Sequence, residues 1–496
     1  MKRYSRVIGL VLVSLVIGYF VAQLVVKNKI ENALEGKITY VDLQLNLLSG
    51  SVEILKPNYE DGESVVSGEV LRVSGFSYYS FLVNDVIRVK QIELDHSEID
   101  FVKSKTGNSD PGLVKKFDKE VLVNKVLLSG SFSFQQDSLK SLQVNQFHME
   151  LDIVAINQNT ISSTIPFKYG DINVNASQVN YTLNQLQRLG LAHLKVNQDS
   201  VVVSDLKYQP RLSKSNYVKV IPYEKDLIDL EVKSLVINDY KLNLENVQNQ
   251  LLVNYVDVDT VNLSIYRDKT VRDDVRKKNL YSKMLRDMDF KINIDSLKVK
   301  NMYLEYQELI NKNRGPGKIF FKPLNVEIYR LANMDLEQDD FPETEVRFTA
   351  KFMGESNFKA NWQFKVNDIK DSFKINGSVF GVSQSSINSF FVPALGMKTK
   401  GTVGELYFNF KGNASQAAGE LQIDYQDFKV EVLKKESAQE NKFLSTLANI
   451  FVKKKPTNNG ETTVKPKGVQ RDATKSFWNY FWKCIQSGLK EAFIVL

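Results

Sequence analysis

Cysteine is all but absent: Cys484 is the only one in 496 residues, so no intramolecular disulfide forms and stability must rest on strand pairing and apolar burial. Histidine is nearly as scarce, and His96, His148 and His193 fall in unrelated segments without zinc-ligand spacing. With 11 prolines and 25 glycines the chain is neither collagen-like nor linker-like. A Gly-rich phosphate loop, a Gly-x-Ser-x-Gly elbow and a His-Glu-x-x-His helix are missing too. Acidic pairs such as Asp273-Asp274 and Asp339-Asp340 read as solvated loop charge. His96 reads as a surface residue, because its neighbour Asp95 would point to the opposite face of a strand. Cys484, among aromatics, reads as a small apolar side chain. Nothing assembles a nucleophile, a base and an oxyanion site, so neither an enzyme nor a cofactor is expected.

Charge of one sign is missing from most of the chain. Residues 434–496 hold 12 Lys/Arg and 5 Asp/Glu, and the remainder holds 53 of each, so the whole net charge of +7 lies in the tail. A charge-balanced body disfavours nucleic acid as a partner. Hydrophobic content of 43% with 25% charged residues is ordinary for a folded chain.

Long apolar runs are absent except one. Val7 to Val26 is twenty residues without a charge, enough to span a bilayer core as a helix. The run presents Val7, Leu10, Leu12, Leu15, Ile17, Phe20 and Val26 as its apolar surface. Lys2, Arg3 and Arg6 precede it, while Lys27 and Lys29 come after. That bias places the N-terminus in the cytoplasm and the bulk of the chain on the other side. The run is long for a signal peptide and lacks a small-x-small site, so an uncleaved anchor over residues 1–36 is expected.

The chain does have, from Ile38 to Val432, an apolar residue at every second position. Val41, Leu43, Leu45 and Leu47 start the pattern. Ile292 and Ile294 carry it midway, and Leu297, Val299, Met302, Leu304 and Tyr306 continue it with slips. Phe348 and Phe352, then Trp362 and Phe364, then Phe408 and Phe410 carry it late. Period-two alternation makes one strand face apolar and the other polar. Roughly fifteen to twenty strands are too many for one flat sheet. Stacked sandwiches, a β-solenoid or a sheet curled into a trough would accommodate them, and a single sheet at ~4.8 Å per strand would run about 70–95 Å. Asn/Asp/Gly/Ser punctuation between the runs predicts hairpins or a meander.

Polar breaks divide this body into residues 37–209, 210–310 and 311–433. The middle part carries a charge-dense, non-alternating insert, 267–289, with a short helix expected over 279–285. A basic polar linker is expected over 434–475. Residues 476–496 then form an amphipathic helix with Phe477, Trp478, Phe481, Trp482, Ile485, Leu489 and Phe493. An aromatic, lysine-bearing helix suits a membrane interface or a partner; the alternative is a cap on the sheet.

Leu45-Asn-Leu-Leu-Ser-Gly-Ser-Val-Glu-Ile-Leu55 after an anchor, and Leu206-Lys-Tyr-Gln-Pro210 with Asp226-Leu-Ile-Asp-Leu-Glu-Val232 after it, resemble the start of AsmA-like envelope proteins of the Bacteroidetes type. Ser264-Ile-Tyr-Arg-Asp-Lys269, followed by Leu285-Arg-Asp-Met-Asp-Phe-Lys-Ile-Asn-Ile-Asp-Ser-Leu297 and Met302-Tyr-Leu-Glu-Tyr306, resembles a segment of the Bacteroidetes versions. Gly401-Thr-Val-Gly-Glu-Leu-Tyr-Phe-Asn-Phe-Lys-Gly412 and Tyr425-Gln-Asp-Phe-Lys-Val-Glu-Val-Leu433 resemble the family's C-terminal region. The resemblance implies an inner-membrane protein with a periplasmic, curled antiparallel β-sheet forming an apolar groove, similar to bridge-like lipid transfer proteins and linked to outer-membrane biogenesis. Its partners would be phospholipid, the inner membrane and other envelope proteins. Groove-lining candidates are Val41, Leu43, Leu45, Ile292, Ile294, Leu304, Phe348, Phe352, Trp362, Phe364, Phe408 and Phe410. Two other readings stand beside it: a membrane-tethered scaffold with a closed core, and a β-helix carbohydrate enzyme with converging carboxylates.

Overall fold

The computed structural model describes residues 2–103, 119–161, 163, 165–244, 249–433 and 460–494. Side chains are described from Leu15 to Ala492, Val430 and Val432 excepted. The expected anchor positions Val7, Leu10 and Leu12, and Phe493 of the C-terminal helix, therefore lie outside the described side chains. The chain is mostly β and divides into two compact units.

Unit 1 comprises Met1–Gln185, Leu189–Val203 and Leu244–Asn246. It opens with helix α1 (Lys2–Leu34), then β1 (Ile38–Thr39), β2 (Asp42–Asn46), β3 (Ser51–Leu55), β4 (Asn58–Glu60), β5 (Ser64–Ser67) and β6 (Val70–Ser74). A short helix, α2 (Tyr78–Asn84), leads into the long strands β7 (Val86–Val102), β8 (Glu120–Gln135), β9 (Ser141–Ile156) and β10 (Ile172–Thr182). Its N-cap Ser77 accepts from the Ser80 amide. β7 organises the unit: β6 pairs with its middle (Gln91–Asp95), β5 with its far end (Glu98–Phe101), and β8 runs alongside the whole of it.

β11 (Gln187–Val196) and β12 (Ser200–Pro210), joined by a turn at Asn197, straddle the division between units. Unit 2 comprises Leu186–Arg188, Ser204–Asn243 and Val247–Leu496. It holds α3 (Lys214–Val220), β13 (Leu227–Leu244), β14 (Asn249–Asp268), α4 (Tyr281–Arg286), β15 (Lys291–Leu309), β16 (Gly317–Ala332), β17 (Thr344–Phe352), β18 (Ser356–Phe364) and β19 (Phe373–Val382). After α5 (Gln384–Phe390) and a π turn come β20 (Met397–Gly412), β21 (Gln416–Val432), β22 (Gly460–Val464), β23 (Val469–Gln470) and α6 (Phe477–Ile494). β15 to β21 pair antiparallel in chain order. Residues 311–316, expected to separate two parts, are the connection between the paired strands β15 and β16.

Two expectations need correction. The pairing is not purely antiparallel: β7–β8 and β14–β15 are parallel. A parallel neighbour requires a crossover of about a dozen residues or more. The charge-dense insert expected over 267–289 falls largely within the second of these connections, between β14 and β15; residues 104–118, before β8, lie outside the described residues. The expected linker over 434–475 also contains structure, because β22 and β23 pair with β21. Val464 lies opposite Leu421 and joins the core there. Residues 434–459 lie outside the described residues.

Slips in the alternation have a physical cause. Non-glycine residues at positive φ occur within many strands, including Ile153, Gln178, Asp205, Asp239, Thr260, Asn301, Arg330 and Asp427. Each lies immediately before the second of two apolar residues spaced by three: Leu151/Val154, Ala176/Val179, Val203/Leu206, Ile237/Tyr240, Val258/Val261, Val299/Met302, Ile328/Leu331 and Tyr425/Phe428. A bulge inserts one residue into a strand and re-aims the side chains beyond it, so the extra residue keeps the apolar side chains on one face.

Candidate functional site

The registers build an apolar face in each unit. In unit 1, Leu45, Val52, Val73, Ile92, Val126, Leu151 and Ile172 are successive cross-strand partners on β2, β3, β6, β7, β8, β9 and β10. A second row runs Leu43, Ile54, Leu71, Leu94, Leu128, Met149 and Val174 through the same strands. In unit 2, one row runs Val256, Leu297, Ile328, Val346, Trp362, Ile375 and Phe410 across β14 to β20. The next runs Val258, Val299, Val326, Phe348, Ala360, Gly377, Phe408 and Leu421.

The opposite faces are charged. Arg72 lies 3.6 Å from both Glu53 and Glu93. Lys300 reaches Asp257 at 2.6 Å, and Lys233 reaches Asp205 at 2.6 Å. Arg347 reaches Glu345 at 2.9 Å, and its guanidinium holds that carboxyl below the usual range. Glu345 is buried, but the more exposed pairs of Arg72, Lys300 and Lys233 contribute at most about 1 kcal/mol each and mark this side as the one facing water.

How far each apolar face is covered differs within the molecule. Over β17 to β21 it is a packed core. α6 lies across it, with Phe477 stacked on Trp362 at a centroid distance of 4.5 Å and Phe481 edge-on to Phe408 at 5.2 Å. Gly488 sits where a Cβ would come within 2.8 Å of the Leu421 side chain. Cys484 is fully buried there, and burial pushes its thiol up to about 12. At the foot of the helix Lys475 and Lys269 both pair with the buried Glu224, at 2.9 and 2.6 Å. Desolvation opposes ionisation of Glu224, but the two ammonium groups outweigh it and hold the carboxyl below its ordinary value. Of the uses the sequence left open for Phe477, Trp478, Phe481, Trp482, Ile485 and Leu489, the packing is that of a cap; Trp478 alone among them remains exposed.

Elsewhere the cover is thin. The main cluster of unit 1 has only Val89, Val123, Leu151 and Val154 as buried residues, and Leu71, Leu94, Leu128, Met149 and Val174 are half-buried. In unit 2 the rows over β14 to β16 are also largely half-buried, including Leu297, Val299, Val326 and Ile328.

The groove candidates sort accordingly. Ile292, Ile294 and Leu304 lie on the half-covered part of the unit 2 face, and Phe348 and Phe352 are half-buried at the edge of the capped cluster. Trp362, Phe364, Phe408 and Phe410 are corrected from open lining to packed core; Phe410 is 0% exposed. In unit 1 Leu43 is buried at 1% and Leu45 half-buried, while Val41 precedes β2 and is 68% exposed. The most open apolar rows, on β6 to β10, lie outside those candidates, although their alternation is the signal that could have found them.

His96 is exposed, as expected, yet its Nδ1 lies 3.1 Å from Asp95. The reason is the bulge: φ of 48° at His96 breaks the alternation that would have separated the neighbours. Among the described residues no three His, Cys, Asp or Glu side chains converge as metal ligands. Among them, too, no helix is long and apolar enough to cross a membrane; part of the Val7–Val26 run falls outside the described side chains. The part of α1 that is described exposes Leu15, Ile17, Phe20, Val21 and Leu24. Comparison with protein-family models and with curated proteins found no match to this chain.

Proposed function

We propose that this chain is an AsmA-like protein of the cell envelope that binds phospholipid acyl chains along its apolar sheet faces. It contributes in this way to lipid transport between membranes and to outer-membrane biogenesis. α1 anchors it in the inner membrane with the N-terminus cytoplasmic, and the sheet units are periplasmic. The observation that carries the reading is the pair of in-register apolar faces that their own units leave half-covered, set back to back with charged faces. Burying acyl methylenes against such a face contributes about 0.8 kcal/mol each, while headgroups stay in water. Binding and movement along a uniform apolar wall need no catalytic group.

The packed core beneath α6 favours a second reading, a membrane-tethered periplasmic scaffold without lipid cargo. Native mass spectrometry and lipid extraction on residues 37–496, purified without detergent, separate the two. Co-purified phospholipid at one or more molecules per chain is the expected result. A lipid-free, monodisperse, folded protein would favour the scaffold.

A further inference from the structure

We infer that α2, with the Leu47–Gly50 turn beside it, is a second membrane contact, seated in the headgroup region of a phospholipid bilayer next to α1. The inference rests on the reading of α1 as a membrane anchor. α2 is inverted relative to a helix of a water-facing surface. Its one buried residue is the polar Ser80, whose hydroxyl meets Ser77 at 2.9 Å. Leu82, Tyr79 and Val83 are 77%, 69% and 63% exposed, and Leu48 in the neighbouring turn is 84% exposed. No charged residue occurs from Gly75 to Asn84. A cluster of this kind has little reason to persist in water, and tyrosines beside aliphatic residues suit a membrane–water interface.

The choice of a lipid surface over a protein comes from continuity with α1. Gln23 of α1 donates to the Leu45 carbonyl at 2.8 Å, and the Tyr78 hydroxyl donates to the Leu47 carbonyl at 2.8 Å. The Leu45–Leu47 stretch thus ties α2, at Tyr78, to Gln23 of α1, inside the uncharged run where α1 exposes Phe20 and Leu24. Charge resumes only past the helix, where Lys119 pairs with Asp85 and lies over the Phe81 ring. On its inner side α2 is continuous with the sheet: Phe76 meets Phe81 at 5.7 Å and packs against the Val89 and Val123 cluster.

The test uses the full chain, carrying Cys484→Ala, reconstituted in phosphatidylcholine–phosphatidylglycerol vesicles. Single cysteines replace Phe20, Leu82, Val83 or the exposed loop residue Ile369 in turn, each labelled with an environment-sensitive fluorophore. Lipids spin-labelled near the headgroup or deep in the acyl region serve as quenchers. The expected result is deep quenching at position 20, headgroup-level quenching at 82 and 83, and none at 369. Quenching at 20 with 82 and 83 behaving like 369 would overturn the inference and leave the anchor standing. No quenching at 20, 82 or 83 would overturn both. Quenching at 82 and 83 without quenching at 20 would support the contact at α2 and remove the anchor.

Discussion

Single positions report which parts of the apolar faces are core and which are open. Phe410 is enclosed, so Phe410→Ala is expected to cost about 3–5 kcal/mol, read as a fall in the denaturation midpoint. Leu128 lies half-covered on the unit 1 face. Leu128→Asp should leave a cooperative fold while abolishing phospholipid retention in native mass spectra; loss of the fold itself would mean that this row is core. Ile153 adopts a φ of 54°, a conformation costly for a β-branched residue, and its side chain is exposed. Ile153→Asn should therefore stabilise the protein by about 1 kcal/mol, visible as a raised Tm. At Glu224 the folded carboxyl is held below its ordinary value. Its contribution is present above the unfolded value, near ~4.3, and is lost as pH falls through the lower folded value. Glu224→Gln should cost roughly 3–5 kcal/mol at neutral pH by leaving two partly buried lysines without their shared carboxylate. It should also flatten the loss of stability on acidification.

At the scale of elements the cap is the feature with a direct test. Gly488→Val would drive a side chain into Leu421, where the Cβ alone has a 2.8 Å contact. An overpacking cost of about 1–3 kcal/mol is expected, and an unchanged melting curve would show that α6 is not seated as described. Strand positions were largely legible, because alternation is a local property of the chain. Even the slips were legible in principle: Val299 to Met302 steps by three where Asn301 forms a bulge. The direction of β8 and β15 was not, since parallel and antiparallel strands share the same alternation. The long connections before them were the only hint. The seat of α6 was illegible for another reason: an aromatic helix looks the same whether it covers lipid or a sheet of its own chain.

The two units meet the same demand differently. Each must do something with one apolar sheet face; unit 2 covers its C-terminal portion with α6, whereas unit 1 has no comparable helix over β6 to β10 among the described residues. An apolar dye should consequently fluoresce with the native protein well below its unfolding temperature, and added lysophospholipid should displace it. Fluorescence rising only on unfolding would mean that the faces are closed.

By itself the sequence determined a β-rich chain with a charge-balanced body, a single long apolar run and one greasy side per strand, because these depend only on the order of residues along the backbone. Tertiary structure alone decided which stretch of that side is sealed and which is open. Burial depends on the groups that pack above a strand, and the covering residues lie far away in the chain: Phe477 on Trp362, Lys475 on Glu224.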